Sequence, residues 1–355
     1  MSRYFVSKYA ALTPYTPGEQ PRGRQYVKLN TNESPFPPSE GVIRAVEAEG
    51  HRLNLYSDPE CFVLRGRLAA RYGVEPDMVM LTNGSDDVLN FAFMAFSDEQ
   101  SPLFFPDITY GFYPVFASLN HIPYTEIPLT DDFSIDPADY VGVNGTVVIA
   151  NPNAPTGRFL PLDVIEAIVR SNPDHVVIVD EAYIDFGGQS AVSLVPGYDN
   201  LLVTQTFSKS RSMAGARLGF CIGQASLIAD LNTLRYSTNP YNVNLMTAAA
   251  GVAALEDDDY YMGNCRVIMD NRAWTTSALE ALGFTVLPSK ANFVFARSDR
   301  IGGEELYLRL KEKGVLVRHF RPDRIKEYNR ITIGTRAQME CLVDTVKEIL
   351  KEAAV

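Results

Sequence analysis

"HVVIVDEAYIDF" occupies residues 175–186, and its first half decides the fold class. Val176 to Val179 are aliphatic without a polar interruption. A strand built from them is apolar on both faces, the condition of an inner strand in a parallel sheet covered by helices. Asp180 then ends the run. Open parallel sheets bind ligands beyond the carboxyl ends of their strands, and a carboxylate drawn into that position needs a partner.

The same texture recurs outward from this strand. "MVMLT" (78–82) leads into the amphipathic "SDDVLNFAFMAFSD", "TVVIA" (146–150) is followed by "PLDVIEAIVRSN", and "NLLVTQ" (200–205) comes after Asp180. This alternation predicts an α/β fold, a large domain over residues 41–250 whose mostly parallel sheet is sandwiched by helices. Past about residue 240 long helical patterns lead into "FTVLPSKANFVFAR", "VLVRHF" and "NRITIGT". They predict a smaller α+β domain over 251–355. Residues 1–40, with "LTPYTPG" and "NESPFPPS", read as an extended arm joining the small domain.

Composition narrows the function. Lys and Arg number 32 against 43 Asp and Glu, a net charge of −11 that repels a nucleic-acid backbone. That balance also argues against a regulatory sensor built on a DNA-binding module. Cys61, Cys221, Cys265 and Cys341 form no CxxC pair, and the four histidines do not cluster, so no metal is expected. The opening "MSRYFVSKYAALTPYTPG" lacks the apolar centre of a secretory leader, and no run approaches a membrane span. The expectation is a soluble, cytoplasmic protein.

Four strand ends carry polar signals. After "MVMLT", Gly84 permits close backbone approach while Ser85 and Asp86 open a helix, whose free N–H groups favour an anion. After "TVVIA" comes "NPNAPTG" (151–157), a rigid turn containing Asn153. Asp180 is followed by Tyr183, and "NLLVTQ" by Thr206, Ser208, Lys209 and Arg217, with glycines at 215 and 219. Singly these read as a helix cap, a loop, a structural ion pair and an exposed lysine. Together they supply an anion cradle, a carboxylate for a buried cation, a phenol and a lysine. Pyridoxal 5'-phosphate, a flat ring bearing a phosphate, a basic nitrogen and an aldehyde, matches that inventory, with Lys209 as covalent tether and base.

"NPNAPTG", "DEAYIDF" and "TFSKSRSMAGARLGF" (206–220) in this order resemble the fold-type I pyridoxal-phosphate aminotransferases of classes I and II. More narrowly, "LNTNESPFPPS" (29–39), "LYSDPE" (55–60), "NPYNVN" (239–244), "SKANFVFAR" (289–297), "GVLVRHF" (314–320) and "RITIGTR" (330–336) resemble the histidinol-phosphate aminotransferases of histidine biosynthesis. The resemblance covers nearly the whole chain. It implies that Asp180 pairs with the pyridine nitrogen, Tyr183 touches the ring hydroxyl and Tyr110 lies against the ring. Gly84, Ser85, Asp86, Thr206, Ser208 and Arg217 would hold the cofactor phosphate. Tyr56 would reach the phosphate of a partner subunit, making a homodimer. For the substrate it implies Arg336 on an α-carboxylate, with Arg318, Arg330 and Tyr15 around a phosphate. Most relatives have asparagine directly before "PTG", where this chain has Ala154, which leaves Asn153 as the candidate to face the ring oxygen. Amino transfer between L-histidinol phosphate and 2-oxoglutarate follows. The competing readings are a threonine-phosphate decarboxylase of the same fold, or an aromatic amino-acid aminotransferase using Phe112, Tyr113 and Tyr236.

Overall fold

The aliphatic runs form the centre of a seven-stranded sheet in the computed structural model, which describes residues 2–21 and 23–353. Its strands are β2 (Val79–Thr82), β3 (Leu103–Pro106), β4 (Tyr124–Ile127), β5 (Thr146–Ala150), β6 (Val177–Asp180), β7 (Leu201–Thr206) and β8 (Gly219–Ile222), preceded in the chain by the short β1 (Val27–Lys28). They lie in the order β2-β8-β7-β6-β5-β3-β4. β4, β3, β5, β6 and β7 run parallel, whereas β8 is antiparallel to both β7 and β2. Every residue of β5, β6 and β8 is buried, as the uninterrupted apolar texture requires.

Helices cover both faces. They are α1 (Glu40–Glu49), α2 (Phe62–Tyr72), α3 (Ser85–Phe96), α4 (Tyr113–Leu119), α5 (Leu162–Ser171), α6 (Ala225–Thr238) and α7 (Leu245–Glu256). Val147, Ile149, Val177 and Val179 pack against α2 and α5 residues such as Leu64 and Ile168, while Val148, Ile178 and Leu202 pack with Val88 and Phe93 of α3 on the other face. Side chains alternate across a strand, so one aliphatic run feeds both layers.

The 23-residue α8 (Asp258–Glu280) leads out to a second sheet. There β9 (Phe284–Val286), β10 (Phe293–Ser298), β12 (Arg318–His319) and β13 (Tyr328–Thr332) are antiparallel in the order β12-β13-β10-β9. Helices α9 (Gly303–Glu312) and α10 (Arg336–Glu352) cover it. A capping box starts α10, with Thr335 and Gln338 satisfying each other's backbone N–H groups.

"VLVRHF" reads as one strand but divides between two sheets. β11 (Val315–Leu316) pairs in parallel with β1, binding the arm, and β12 pairs with β13. In that second pairing Arg318 stands opposite Arg330. The split places two arginines side by side under the arm.

Of the two glycines beside the lysine loop, Gly219 is the one that close packing demands. A Cβ there would lie 2.3 Å from the Ser85 nitrogen and 2.4 Å from the Gly84 carbonyl carbon, whereas at Gly215 it meets nothing within 4 Å. Gly219→Ala is therefore expected to cost about 1–3 kcal/mol by overpacking against backbone that cannot yield, and Gly215→Ala close to nothing. Thermal melts of the two variants check this; equal melting temperatures would contradict the close packing of β8 on the α3 turn.

Candidate active site

The carboxyl ends of β5, β6 and β7 open into a cavity lined by Asp180, Tyr183 and Lys209. Asp180 forms its floor. The carboxylate is 5% exposed, accepts from the Tyr113 hydroxyl at 2.9 Å and from the Ala182 N–H at 3.3 Å, and has no cation bonded to it among the described residues. Burial pushes its pKa up to about 6 even though Tyr113 donates to the ionised form. This is a carboxylate held ready for a buried cation.

Lys209 and Tyr183 line the same cavity, with the lysine Nζ 5.8 Å from the phenol ring centroid. At the other end lies the turn into α3. Gly84 sits in the left-handed half of backbone space (φ 88°) as N-cap, with no side chain capping the helix, so its first N–H groups remain free. Arg217, itself left-handed (φ 55°), lays its guanidinium over this turn, and a Cβ on Gly84 would lie 2.7 Å from Nη2. Asp86 holds Arg217 at 2.8 Å and accepts from the Tyr110 hydroxyl at 2.8 Å. Burial, together with the Asp86 charge, raises the Tyr110 phenol well above its usual range. Thr206 and Ser208 complete the rim, joined hydroxyl to hydroxyl at 2.9 Å.

A second cavity continues beyond Lys209, Tyr183 and Tyr110 toward the small sheet. Arg330, Arg318 and Tyr15 line it. The Arg330 guanidinium lies 5.4 Å from the Phe293 ring and 5.7 Å from Phe320, and donates to the Asn30 carbonyl at 3.1 Å. Its Nε is sealed from solvent without a partner, and burial pulls its pKa below the usual value. Arg318 is held from behind by the carbonyls of Thr16 and Pro17 at 3.1 and 3.3 Å. Tyr15 stacks on Phe112, centroids 4.1 Å apart.

Three expected residues stand elsewhere. Arg336 begins α10 and stacks on Trp274 at 4.5 Å; it lines neither cavity. Helical geometry at Arg336 turns it away, whereas Arg330, on strand β13, faces the cavity. Asn153 is buried in its own turn, its amide donating to the Ile108 carbonyl and Thr156 and accepting from Thr109, so Ala154 is what faces the cavity. Tyr56 lines neither cavity of its own chain and stands 81% exposed. Of the aromatic trio, Tyr113 bonds Asp180 from outside the cavity and Tyr236 bonds Glu60. Sequence reasoning missed Asn32 behind Tyr183, and it named Tyr113 only as a pocket wall, missing its bond beneath Asp180. Each offers a single hydrogen bond from a distant segment, which leaves no local pattern.

The family description "Aminotransferase class I and II" matches residues 24–346, which include every lining residue of the first cavity and all of the second except those of the arm before residue 24. This chain belongs to the class I and II aminotransferases. It is 49% identical over 354 residues to "Histidinol-phosphate aminotransferase 2" of Dechloromonas aromatica, covering 98% of this chain and 99% of that one. Identity to the "Histidinol-phosphate aminotransferase" of a Marinomonas species is 50% over 354 residues, 98% and 100% of the two chains. The crystal structure of histidinol-phosphate aminotransferase from Sinorhizobium meliloti in complex with pyridoxal-5'-phosphate superposes with a TM-score of 0.90, covering 99% of both chains. At 23% identity it speaks for the fold.

The residues of this aminotransferase fit pyridoxal phosphate. The uncapped α3 turn and Arg217 suit the phosphate, Asp180 lacks the cation that a pyridinium N–H supplies, and Lys209 opens on the space between. Without that cation the sign of the Asp180 effect is fixed. The folded protein holds the carboxyl proton more tightly than the unfolded chain does, so the residue costs nothing below about pH 4 and progressively more up to about pH 6. Above that the cost is constant at roughly 3 kcal/mol, the equivalent of a shift of about two pKa units. Asp180→Asn is expected to melt above the wild-type apoprotein at pH 8, to lose that advantage toward pH 4, and to bind the cofactor more weakly. Melting curves across this range, with and without pyridoxal phosphate, read all three; an apo wild type at least as stable as the variant at pH 8 contradicts it.

Proposed function

We propose that this chain interconverts L-histidinol phosphate and 2-oxoglutarate with imidazole acetol phosphate and L-glutamate, acting as a cytoplasmic homodimer in histidine biosynthesis. The carrying observation is the register of β12 on β13, which sets Arg318 directly opposite Arg330 at the far end of the cavity from Asp180. Like charges opposite each other across a ladder are unfavourable, and a dianionic phosphate removes that cost. Histidinol phosphate carries its phosphate ester where an amino acid has its α-carboxylate. The same pair therefore serves glutamate in the other half-reaction, the task the sequence had assigned to Arg336.

Bound pyridoxal phosphate supplies the carbonyl for amino exchange and a ring that accepts the electron pair left when the α-proton departs. Asp180 would keep a proton on the ring nitrogen, and the α3 turn with Arg217, Thr206 and Ser208 would anchor the phosphate. Tyr183 offers its hydroxyl to the ring oxygen. Lys209 would tether the cofactor and, once displaced by the substrate amine, its Nζ would take the proton from the substrate α-carbon and deliver it to the cofactor's aldehyde-derived carbon, the second half-reaction running the same transfer backwards. Tyr110 and Tyr15 wall the passage. Tyr56 stacks on Tyr241 at 4.5 Å beside exposed Leu53, Leu55, Phe62 and Val63. A second copy covering this apolar face would bring Tyr56 to its phosphate turn.

Lys209→Ala is expected to abolish turnover while retaining noncovalent cofactor. Arg330→Gln should raise KM for histidinol phosphate about 10- to 100-fold, the loss of one or two charge-assisted hydrogen bonds, with a smaller change in kcat. Steady-state kinetics read the split, and absorbance titration of the loaded protein with histidinol phosphate, threonine phosphate, phenylalanine and glutamate reads the substrate. Carbon dioxide release from threonine phosphate, with no response to histidinol phosphate, would make the enzyme a decarboxylase.

A further inference from the structure

Tyr183 faces the cofactor cavity, yet what its hydroxyl can do there is set by a side chain from the N-terminal arm. Resting on the cofactor reading above, we propose that Asn32 is a positioning residue that commits the Tyr183 hydroxyl proton to the cofactor's ring oxygen, in a chain where Ala154 offers that oxygen no amide. Asn32 is 1% exposed, and its Nδ2 donates to the Tyr183 oxygen at 2.9 Å. A phenol has one proton to give. With its oxygen already accepting from Asn32, that proton is free for the cavity that Tyr183 lines.

The direction of the Asn32 amide follows from its other partners. Thr332 Oγ1 accepts the Asn32 backbone N–H at 3.0 Å and donates to Asn32 Oδ1 at 3.0 Å. Thr332 is 3% exposed. Reversing the amide would strand the buried threonine proton and make Asn32 compete for the tyrosine proton, so the observed orientation satisfies more groups. Asn292 holds the Asn32 carbonyl at 3.0 Å, and Asn32 adopts the left-handed conformation (φ 56°) that asparagine tolerates better than most residues. The Tyr183 ring is fixed edge-on against Phe293, with centroids 5.1 Å apart and planes at 88°. Arm and small sheet thus meet at one hydroxyl of the large domain. The amide that sequence alone would assign to the ring oxygen, Asn153, is spent on Ile108, Thr156 and Thr109.

A donor at the ring oxygen stabilises its negative charge most when the neighbouring lysine-derived nitrogen has lost its proton. Tyr183 therefore lowers the pH at which the lysine-bound cofactor deprotonates, and weakening the donor raises it. The test is a pH titration of the cofactor absorbance band in the loaded protein for wild type, Asn32→Gly, Thr332→Val, Tyr183→Phe and the two double variants with Tyr183→Phe. Glycine at 32 removes the amide at no backbone cost, and Thr332→Val frees the amide to reverse without touching the cavity. Should Asn32→Gly fail to fold, Thr332→Val carries the test alone. In the wild-type background each is expected to raise the titration midpoint by about 0.5–1 pH unit, the equivalent of one neutral hydrogen bond. In the Tyr183→Phe background neither should move it, since the effect runs through that hydroxyl. A midpoint unchanged by both variants, or shifted equally with phenylalanine at 183, overturns the role of Asn32 while leaving the cofactor in place. A band that persists unchanged in Lys209→Ala overturns the cofactor reading and the inference with it.

Discussion

The active site hangs on the register of three parallel strands. Ala150 stands opposite Asp180, and Asp180 opposite Thr204. Beyond these pairs the ladder continues through the Asn151 N–H to the Asp180 carbonyl and the Glu181 N–H to the Thr204 carbonyl, each 2.8 Å. The loops carrying Ala154, Tyr183 and Lys209 therefore leave one edge of the sheet at nearly one level. A slip of a single residue would turn Asp180 to the opposite face, exchanging a ligand-facing carboxylate for an unpaired charge in an aliphatic layer. Antiparallel β8 completes the arrangement by returning Arg217 and Gly219 to the α3 turn, where the contact is so close that no Cβ fits.

On this frame the charges are arranged at a cost to the protein alone. Asp180 is buried with hydrogen bonds but no cation, Arg330 is drawn inward with a sealed Nε, and Arg318 lies opposite it. Arg217 is paired with Asp86, over a helix terminus that itself favours an anion. On the function proposed above, each imbalance would be corrected by a different part of the ligands: a ring cation, a cofactor phosphate, a substrate anion. Stability is given up where binding restores it, a common pattern at functional sites. The aromatic walls around Arg330 make that exchange strong, because a charge held between phenyl rings is poorly served by water.

Much of this was legible in the chain. Uninterrupted aliphatic runs predicted buried strands within one or two residues of those observed, since burial on both faces leaves no room for polar alternation. The residues at strand ends were legible because a lysine, a carboxylate and a helix-opening glycine are each unusual there. The failures share a cause. "RITIGTR" contains two arginines six residues apart, and only the strand at Arg330 and the helix start at Arg336 decide which one enters the cavity. "NPNAPTG" contains a candidate amide at Asn153, and only the fold spends it, on Thr156 of the same turn and on Ile108 and Thr109 of a distant loop.

The amino-acid sequence by itself determined the α/β class, the location of the buried strands and the chemical inventory at their ends, because these depend on local periodicity and residue type. Tertiary structure alone decided which arginine lines the second cavity, that Tyr113 braces Asp180, that Asn32 reaches Tyr183 from the arm, and that "VLVRHF" serves two sheets. Those outcomes rest on contacts between distant segments, 151 residues apart for Asn32 and Tyr183. A side chain's direction there is fixed by packing and hydrogen-bond satisfaction across the fold, and neither leaves a periodic trace in the chain.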